Sequence, residues 1–104
     1  MPVGEAVKLS VVIPAFNEEK NLPATVEGLL VVLRREALSF EIVVVNDNSR
    51  DGTRDVALEM VRHNPEVVLV DNVAPGGFGR AIRMGLRSFA GDAVAIVMAG
   101  SSDD

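Results

Sequence analysis

Four short blocks rich in branched aliphatic residues recur along the chain: Leu9 to Ile13, Glu41 to Val45, Val67 to Val70 and Ala93 to Met98. They are nearly continuous apolar runs instead of strict alternations, which is what strands covered on both faces require, so they predict a parallel sheet flanked by helices. Helical stripes lie between them. Leu22, Val26, Leu29, Leu30 and Leu33 follow the spacing i, i+4, i+7, i+8, i+11 and share one face of a helix running to about Glu36, with Pro23 in its first turn. Val56, Ala57, Met60 and Val61 make a shorter stripe, with Asp51 or Thr53 available as N-cap and an end near Asn64, just before Pro65. A third stripe, Phe78, Ile82, Gly85, Leu86 and Phe89, predicts a helix from about Gly79 to Phe89, after which Gly91 and Asp92 turn the chain. The resulting order, βαβαβαβ, is the signature of a right-handed, doubly wound, Rossmann-like α/β sheet.

In a parallel sheet every loop that follows a strand emerges at the same edge, so polar residues distant in sequence can converge there. The first such loop, Pro14-Ala15-Phe16-Asn17-Glu18-Glu19, contains no glycine and so lacks the G-x-G-x-x-G turn with which a backbone approaches a dinucleotide pyrophosphate. That argues against a standard NAD site. Pro14 and Phe16 offer a stiff, partly apolar ledge for a planar base or ring. Asn17 and Glu18 stand beside it as polar contacts, or else cap the following helix.

The second loop, Asn46-Asp47-Asn48-Ser49-Arg50-Asp51-Gly52-Thr53, is the most informative. Its amides and carboxylates could fix a nucleobase edge or a ribose. Asp47 is the first candidate because it leaves the apolar strand soonest, while Asp51 and Gly52 are accounted for by turn chemistry. After the third strand come Asp71-Asn72 and then Pro75-Gly76-Gly77-Phe78-Gly79-Arg80. Glycines ahead of a helix let backbone N–H groups face an anion, and Arg80 adds positive charge, although glycine at such a junction also serves tight packing. The fourth strand leads into Ala99-Gly100-Ser101-Ser102-Asp103-Asp104, whose two adjacent carboxylates could take Mg²⁺ or Mn²⁺ or form a solvated terminus. His63 stands alone near the end of the second helix, a surface position.

The chain has 104 residues, which suits one domain, and its 48% hydrophobic content supplies a core. With no cysteine, a disulfide framework, a thiolate metal site and a cysteine nucleophile are all excluded. Ten basic against fifteen acidic residues give a net charge of −5, the wrong balance for a nucleic-acid partner. The longest apolar run, Ala93 to Ala99, falls far short of the roughly 20 residues that cross a bilayer. Met1 to Glu5 lacks the features of a signal peptide and reads as a loose lead-in.

Three stretches together resemble family 2 glycosyltransferases, nearest the dolichol-phosphate mannosyltransferase-like branch. They are Ser10-Val11-Val12-Ile13-Pro14-Ala15-Phe16-Asn17-Glu18-Glu19, Val43-Val44-Val45-Asn46-Asp47-Asn48-Ser49-Arg50-Asp51-Gly52-Thr53, and Gly77-Phe78-Gly79-Arg80-Ala81-Ile82-Arg83-Met84-Gly85. The likeness covers essentially the whole chain. It implies a GT-A fold, truncated here, with strand order 3-2-1-4, and it makes residues 1–104 the nucleotide-sugar-binding half of a transferase domain. By this resemblance Pro14, Ala15, Phe16, Asn17, Glu18 and Asp47 contact the base and ribose of a GDP- or UDP-linked sugar, and Gly79 and Arg80 lie near its phosphates. The acceptor would be a polyprenyl phosphate or a saccharide, and the location cytoplasmic, with membrane association in the parent protein.

Two departures qualify the resemblance. The family's Asp-x-Asp element, which holds a divalent cation against the donor diphosphate, is replaced by Ala99-Gly100-Ser101, so Asp103 and Asp104 either substitute as a shifted acidic pair or metal binding is weakened. Family catalytic domains are also about twice as long, and no residue here is a convincing general base, so this piece alone is expected to transfer little or no sugar. Cutting the domain after the fourth strand would leave an open strand edge and an apolar surface through which two copies could pair. Two other readings compete: a non-catalytic nucleotide-binding or interaction module that has lost the metal carboxylates, and a phospho-acceptor receiver module. The latter expects an acidic pair after the first strand and a central aspartate after the third, where this chain has Asp71-Asn72.

Overall fold

The branched aliphatic blocks all form strands in the computed structural model, which describes residues 8–36, 39–72 and 92–99. The strands β1 (Lys8–Ala15), β2 (Ser39–Asn46), β3 (Val67–Asp71) and β4 (Ala93–Ile96) pair in parallel in the order β3-β2-β1-β4. This is the predicted 3-2-1-4 arrangement. The predicted third helix, from Gly79 to Phe89, and the Met1 to Glu5 lead-in lie outside the described residues.

Two helices follow the first two strands, α1 (Leu22–Arg35) and α2 (Thr53–His63). Both right-handed crossovers step in the same direction along the sheet, which puts the two helices on one face. Alternation along the strands then divides the core. Val11, Ile13, Ala15, Ile42, Val44 and Val67 meet Leu22, Val26, Leu30 and Leu33 of α1 and Ala57 of α2. Val12, Val43 and Val45 are buried on the other face, against Val70. Burial on both faces explains why β1 and β2 are apolar without alternation. A fully buried Leu22 contributes about 1.5–3 kcal/mol by burial, so Leu22→Ala, which also leaves a cavity, should cost about 2–5 kcal/mol.

The polar exceptions within this sheet are paired. Ser10 and Glu41 face one another across β1 and β2, both buried, with the Ser10 hydroxyl donating to Glu41 Oε2 at 2.6 Å. Pro14 sits in a central strand although it has no N–H to donate. It can do so because pairing of β1 with β4 ends at Val12 and Ile96, before Pro14 is reached. Among the described residues β4 ends the sheet, and it carries half-exposed Val94, Ile96 and nearby Met98.

Helix ends depart in one detail from the sequence reading. Pro23 lies in the first turn of α1, as expected. Gly52, however, occupies the cap position of α2, while the Asp51 carboxylate accepts the Thr53 N–H at 2.9 Å from one residue further out. An aspartate two residues ahead of an N–H can close that ring locally, so Asp51 serves the helix start without being its cap.

Candidate functional site

The loops after β1 and β2 are joined into one rim. Asp47 leaves β2 with its N–H donated to the carbonyl of Ala15 at 2.8 Å, so the end of one strand fixes the start of the next loop. From there the two segments exchange bonds in both directions. The Asn17 N–H donates to Ser49 Oγ at 3.0 Å, and the Arg50 N–H donates to Asn17 Oδ1 at 2.8 Å. The Glu18 N–H donates to Thr53 Oγ1 at 2.8 Å, the Glu19 N–H to Asp51 Oδ2 at 3.3 Å, and the Gly52 N–H to Glu19 Oε1 at 3.0 Å. Backbone donors on each loop are thus satisfied by side chains of the other, in segments where no sheet ladder or helix supplies acceptors.

Backbone conformation explains the residue choices. Asn17 has φ 53° and Asn48 φ 60°, left-handed positions that asparagine tolerates better than most residues. At Gly52 a Cβ would lie 3.1 Å from the Glu19 carboxyl group, so the missing side chain makes room for that carboxylate. Thr53 is fully buried, and its hydroxyl both accepts from Glu18 and donates to Asp51 Oδ1. That hydroxyl, joined by the Thr53 and Glu19 N–H groups, holds the Asp51 carboxyl below the ordinary aspartate range.

Behind the rim, the ends of β2 and β3 carry two amide–carboxylate pairs in opposite order. Asn46 Nδ2 donates to Asp71 Oδ1 at 3.0 Å, and Asn72 Nδ2 donates to Asp47 Oδ1 at 2.8 Å. Arg54 of α2 also grips Asp71, with its Nε 3.2 and 3.1 Å from the two carboxylate oxygens. This guanidinium, aided by the Asn46 amide, lowers the Asp71 pKa against the opposing effect of partial burial. Asp47 is buried, 6% exposed, and its Oδ1 takes a second amide hydrogen from Asn48 at 3.3 Å.

The residues expected to meet a donor are therefore neighbours, but they differ in what they present. Phe16 is 55% exposed and projects from the rim, whereas Pro14 and Ala15 are buried within β1. Asn17 commits its amide oxygen to the facing loop. Glu18 anchors α1, its carbonyl accepting from the Asn21 and Leu22 N–H groups at 3.1 and 2.9 Å and its Oε1 from Asn21 Nδ2 at 3.2 Å. Neither the Asn17 nor the Glu18 side chain caps α1, whose cap position is Asn21 with no side-chain cap bond; Glu18 supports the helix start through its carbonyl. Gly79, Arg80, Asp103 and Asp104 lie outside the described residues, and among the described residues no group of three or more His, Cys, Asp or Glu side chains could hold a metal ion. Ala99 is buried in the helix-side core. His63 is exposed at the end of α2, beside Glu59.

Four contributors were not singled out from the sequence: Ser49, Glu19, Arg54 and Asn72. The signal for Asn72 was positional, since it stands second after the third apolar block as Asp47 stands second after the second.

Comparison with known proteins matches residues 10–99 to the family described as Glycosyl transferase family 2. A dolichyl-phosphate beta-glucosyltransferase, ALG5A, of Trichomonas vaginalis is 36% identical over 94 residues, which is 86% of this chain and 29% of the relative. Among solved structures, the mannosyltransferase PcManGT of Pyrobaculum calidifontis, in complex with GDP-Man and Mn²⁺, superposes with TM-score 0.70 and 26% identity over 91% of this chain and 28% of that one. Glucosyl-3-phosphoglycerate synthase of Mycobacterium tuberculosis, in complex with Mn²⁺, UDP and phosphoglyceric acid, superposes with TM-score 0.69 and 26% identity over 88% and 32%. The chain spans less than a third of the length of each of these proteins.

Proposed function

The chain belongs to glycosyl transferase family 2, and from that premise we propose that its strand-end rim binds the nucleoside diphosphate portion of a nucleotide sugar. In this reading residues 1–104 are the donor-binding half of a transferase. The observation that carries it is the union of the β1 and β2 loops, which brings Phe16 and Asn17 beside Asp47 across thirty positions of sequence. Phe16 offers an exposed face for a base, and the Asp47 carboxylate an acceptor for base or ribose donors. Gly79 and Arg80 are proposed to face the diphosphate.

In the reaction proposed for the parent protein, an acceptor oxygen bonds to the anomeric carbon as the bond from that carbon to the diphosphate oxygen breaks, and the nucleoside diphosphate leaves. The part assigned to this chain is to bind and orient the leaving nucleotide. The name of the Trichomonas relative supports a polyprenyl phosphate acceptor over a saccharide. The Mn²⁺ of the two structural neighbours supports a divalent cation, Mg²⁺ or Mn²⁺, and Asp103 and Asp104 are the residues proposed to hold it. A metal at that site would draw negative charge from the departing diphosphate.

Titration of the chain by calorimetry with UDP, GDP and their sugars, with and without Mn²⁺, tests the reading. Specific binding that is weakened in Asp47→Ala supports it, and Asp47→Asn, which keeps an oxygen for Asn72 and Asn48, separates loss of charge from loss of packing. Binding that is unchanged in both variants would overturn the role of Asp47. The half-exposed Val94, Ile96 and Met98 support a second proposal, that two copies pair through the β4 edge. Light scattering that showed only monomer at high concentration would count against it.

A further inference from the structure

The amide of Asn72 lies between two strand ends. Its backbone N–H extends the β2–β3 ladder by one step, donating to the carbonyl of Asn46 at 2.9 Å, and this fixes the residue against the base of the second loop. Its side chain then turns to the next residue of that loop, with Nδ2 2.8 Å from Asp47 Oδ1, and the residue is only 5% exposed. The other amide on the same oxygen comes from Asn48, which adjoins Asp47 on the same loop at the longer distance of 3.3 Å. Only Asn72, of these two donors, reaches the carboxylate from a separate strand. A carboxylate held by a donor on an independent element loses rotamer freedom before any ligand arrives, so less ordering remains to be done on binding.

The pairing order supports the same assignment. Asn46 donates to Asp71 one residue earlier, and there the carboxylate belongs to β3 and is claimed by Arg54. At the following pair the carboxylate belongs to the β2 loop, where the rim is, and the amide to the β3 side. An aspartate at both 47 and 72 would set two negative charges against each other in a buried place. The amide at 72 holds Asp47 without adding charge to the site.

We propose that Asn72 is a positioning residue of the nucleotide site, acting through the Asp47 carboxylate and not by touching the ligand. The proposal rests on the donor-binding reading above. It is tested by a double-mutant cycle on the affinity of the chain for UDP and for GDP, using Asn72→Ala, Asp47→Ala and the double variant, with the thermal melt of each recorded. Removing a hydrogen bond to a charged group supports an expected weakening by Asn72→Ala of about tenfold. In the Asp47→Ala background the same change should alter affinity by less than about twofold, since the group it positions is gone.

A residue that merely supports the fold would give the same loss in both backgrounds, and that result would overturn the proposal. Asn72→Ser, smaller but polar, guards against misfolding, and if both variants at 72 unfold, Asn72 is structural and the proposal falls. Wild-type binding with unchanged affinity in folded Asn72→Ala removes the proposal but leaves the donor site standing. Binding of neither UDP nor GDP by the wild-type chain removes both.

Discussion

At the carboxyl ends of the strands, side-chain oxygens of Asn17, Glu19, Ser49, Asp51 and Thr53 accept backbone N–H groups from loops. At the amino ends, near where α1 stops and β3 begins, the bonds of Arg34 run from side chain to side chain. Arg34 reaches both oxygens of Glu66, at 3.1 and 2.7 Å, and Asn64 Oδ1 at 3.0 Å. The first arrangement fixes main chain in conformations that no regular element would impose. The second ties together two elements already fixed by their own ladders. Polar residues at the strand ends therefore carry shape, and those at the other pole add small increments of stability.

The largest effect that could break this contrast is on ligand affinity. Asp47→Asn keeps the acceptor for Asn72 and Asn48 but removes the charge, and should weaken UDP or GDP binding by about 10- to 100-fold, the range of one charge-assisted hydrogen bond. Its melting temperature should fall far less than that of Asp47→Ala. Equal affinity of Asp47→Asn and wild type would mean that the carboxylate serves only the fold, and the two poles would then differ in degree alone.

Thr53→Val is the next test, on stability. The two side chains have nearly the same shape, but valine leaves the Glu18 N–H and the Asp51 carboxylate without their shared hydroxyl partner at a fully buried position. The expected cost is about 1–3 kcal/mol, measured by urea unfolding. Glu19→Ala should cost less, about 0.5–1.5 kcal/mol, because the Gly52 N–H it abandons lies at an exposed bond that water can replace. Amide exchange at Gly52 and Asn17 should quicken in both variants while β1 and β2 stay protected.

The sheet was legible in the sequence because its constraint is repeated: four apolar blocks, the two central ones buried on both faces, with helical stripes at regular spacing between them. The ends of α1 and α2 followed within a residue or two, and the order of strands came with the family resemblance. The rim was legible in part. Asp47 and Asn17 stood out as polar residues next to apolar strands, and topology brought them together as expected. The exchange of bonds between the loops was not legible, since an asparagine whose oxygen accepts from Arg50 and one that awaits a ligand look the same as letters. Glu19 and Ser49 lacked any periodic signal. Asp51 was read as turn chemistry, which is half of its role; its second oxygen holds the Glu19 N–H across the rim.

The smallest expected effect lies at the amino-end pole, and its pH dependence gives it a signature. Arg34→Ala removes a two-pronged contact with Glu66, but with the arginine side chain 47% exposed the pair should contribute little, and less in high salt. The Arg34 guanidinium draws the Glu66 pKa below its ordinary value in the folded state. A carboxylate with a lowered folded pKa stabilises the fold above its unfolded pKa, and that contribution fades as pH falls through the folded value. The stability gap between wild type and Arg34→Ala should therefore be constant near neutrality and close as the pH falls past about 4.3, where glutamate is half protonated in the unfolded chain, and on through the lower folded value. Asp51 and Asp71, also lowered, titrate in the same direction in both proteins and cancel from the difference. A gap that stayed open in acid would assign the loss to the packing of the arginine stem over the end of α1 instead of to its charge, and this pole, too, would then hold its elements by shape.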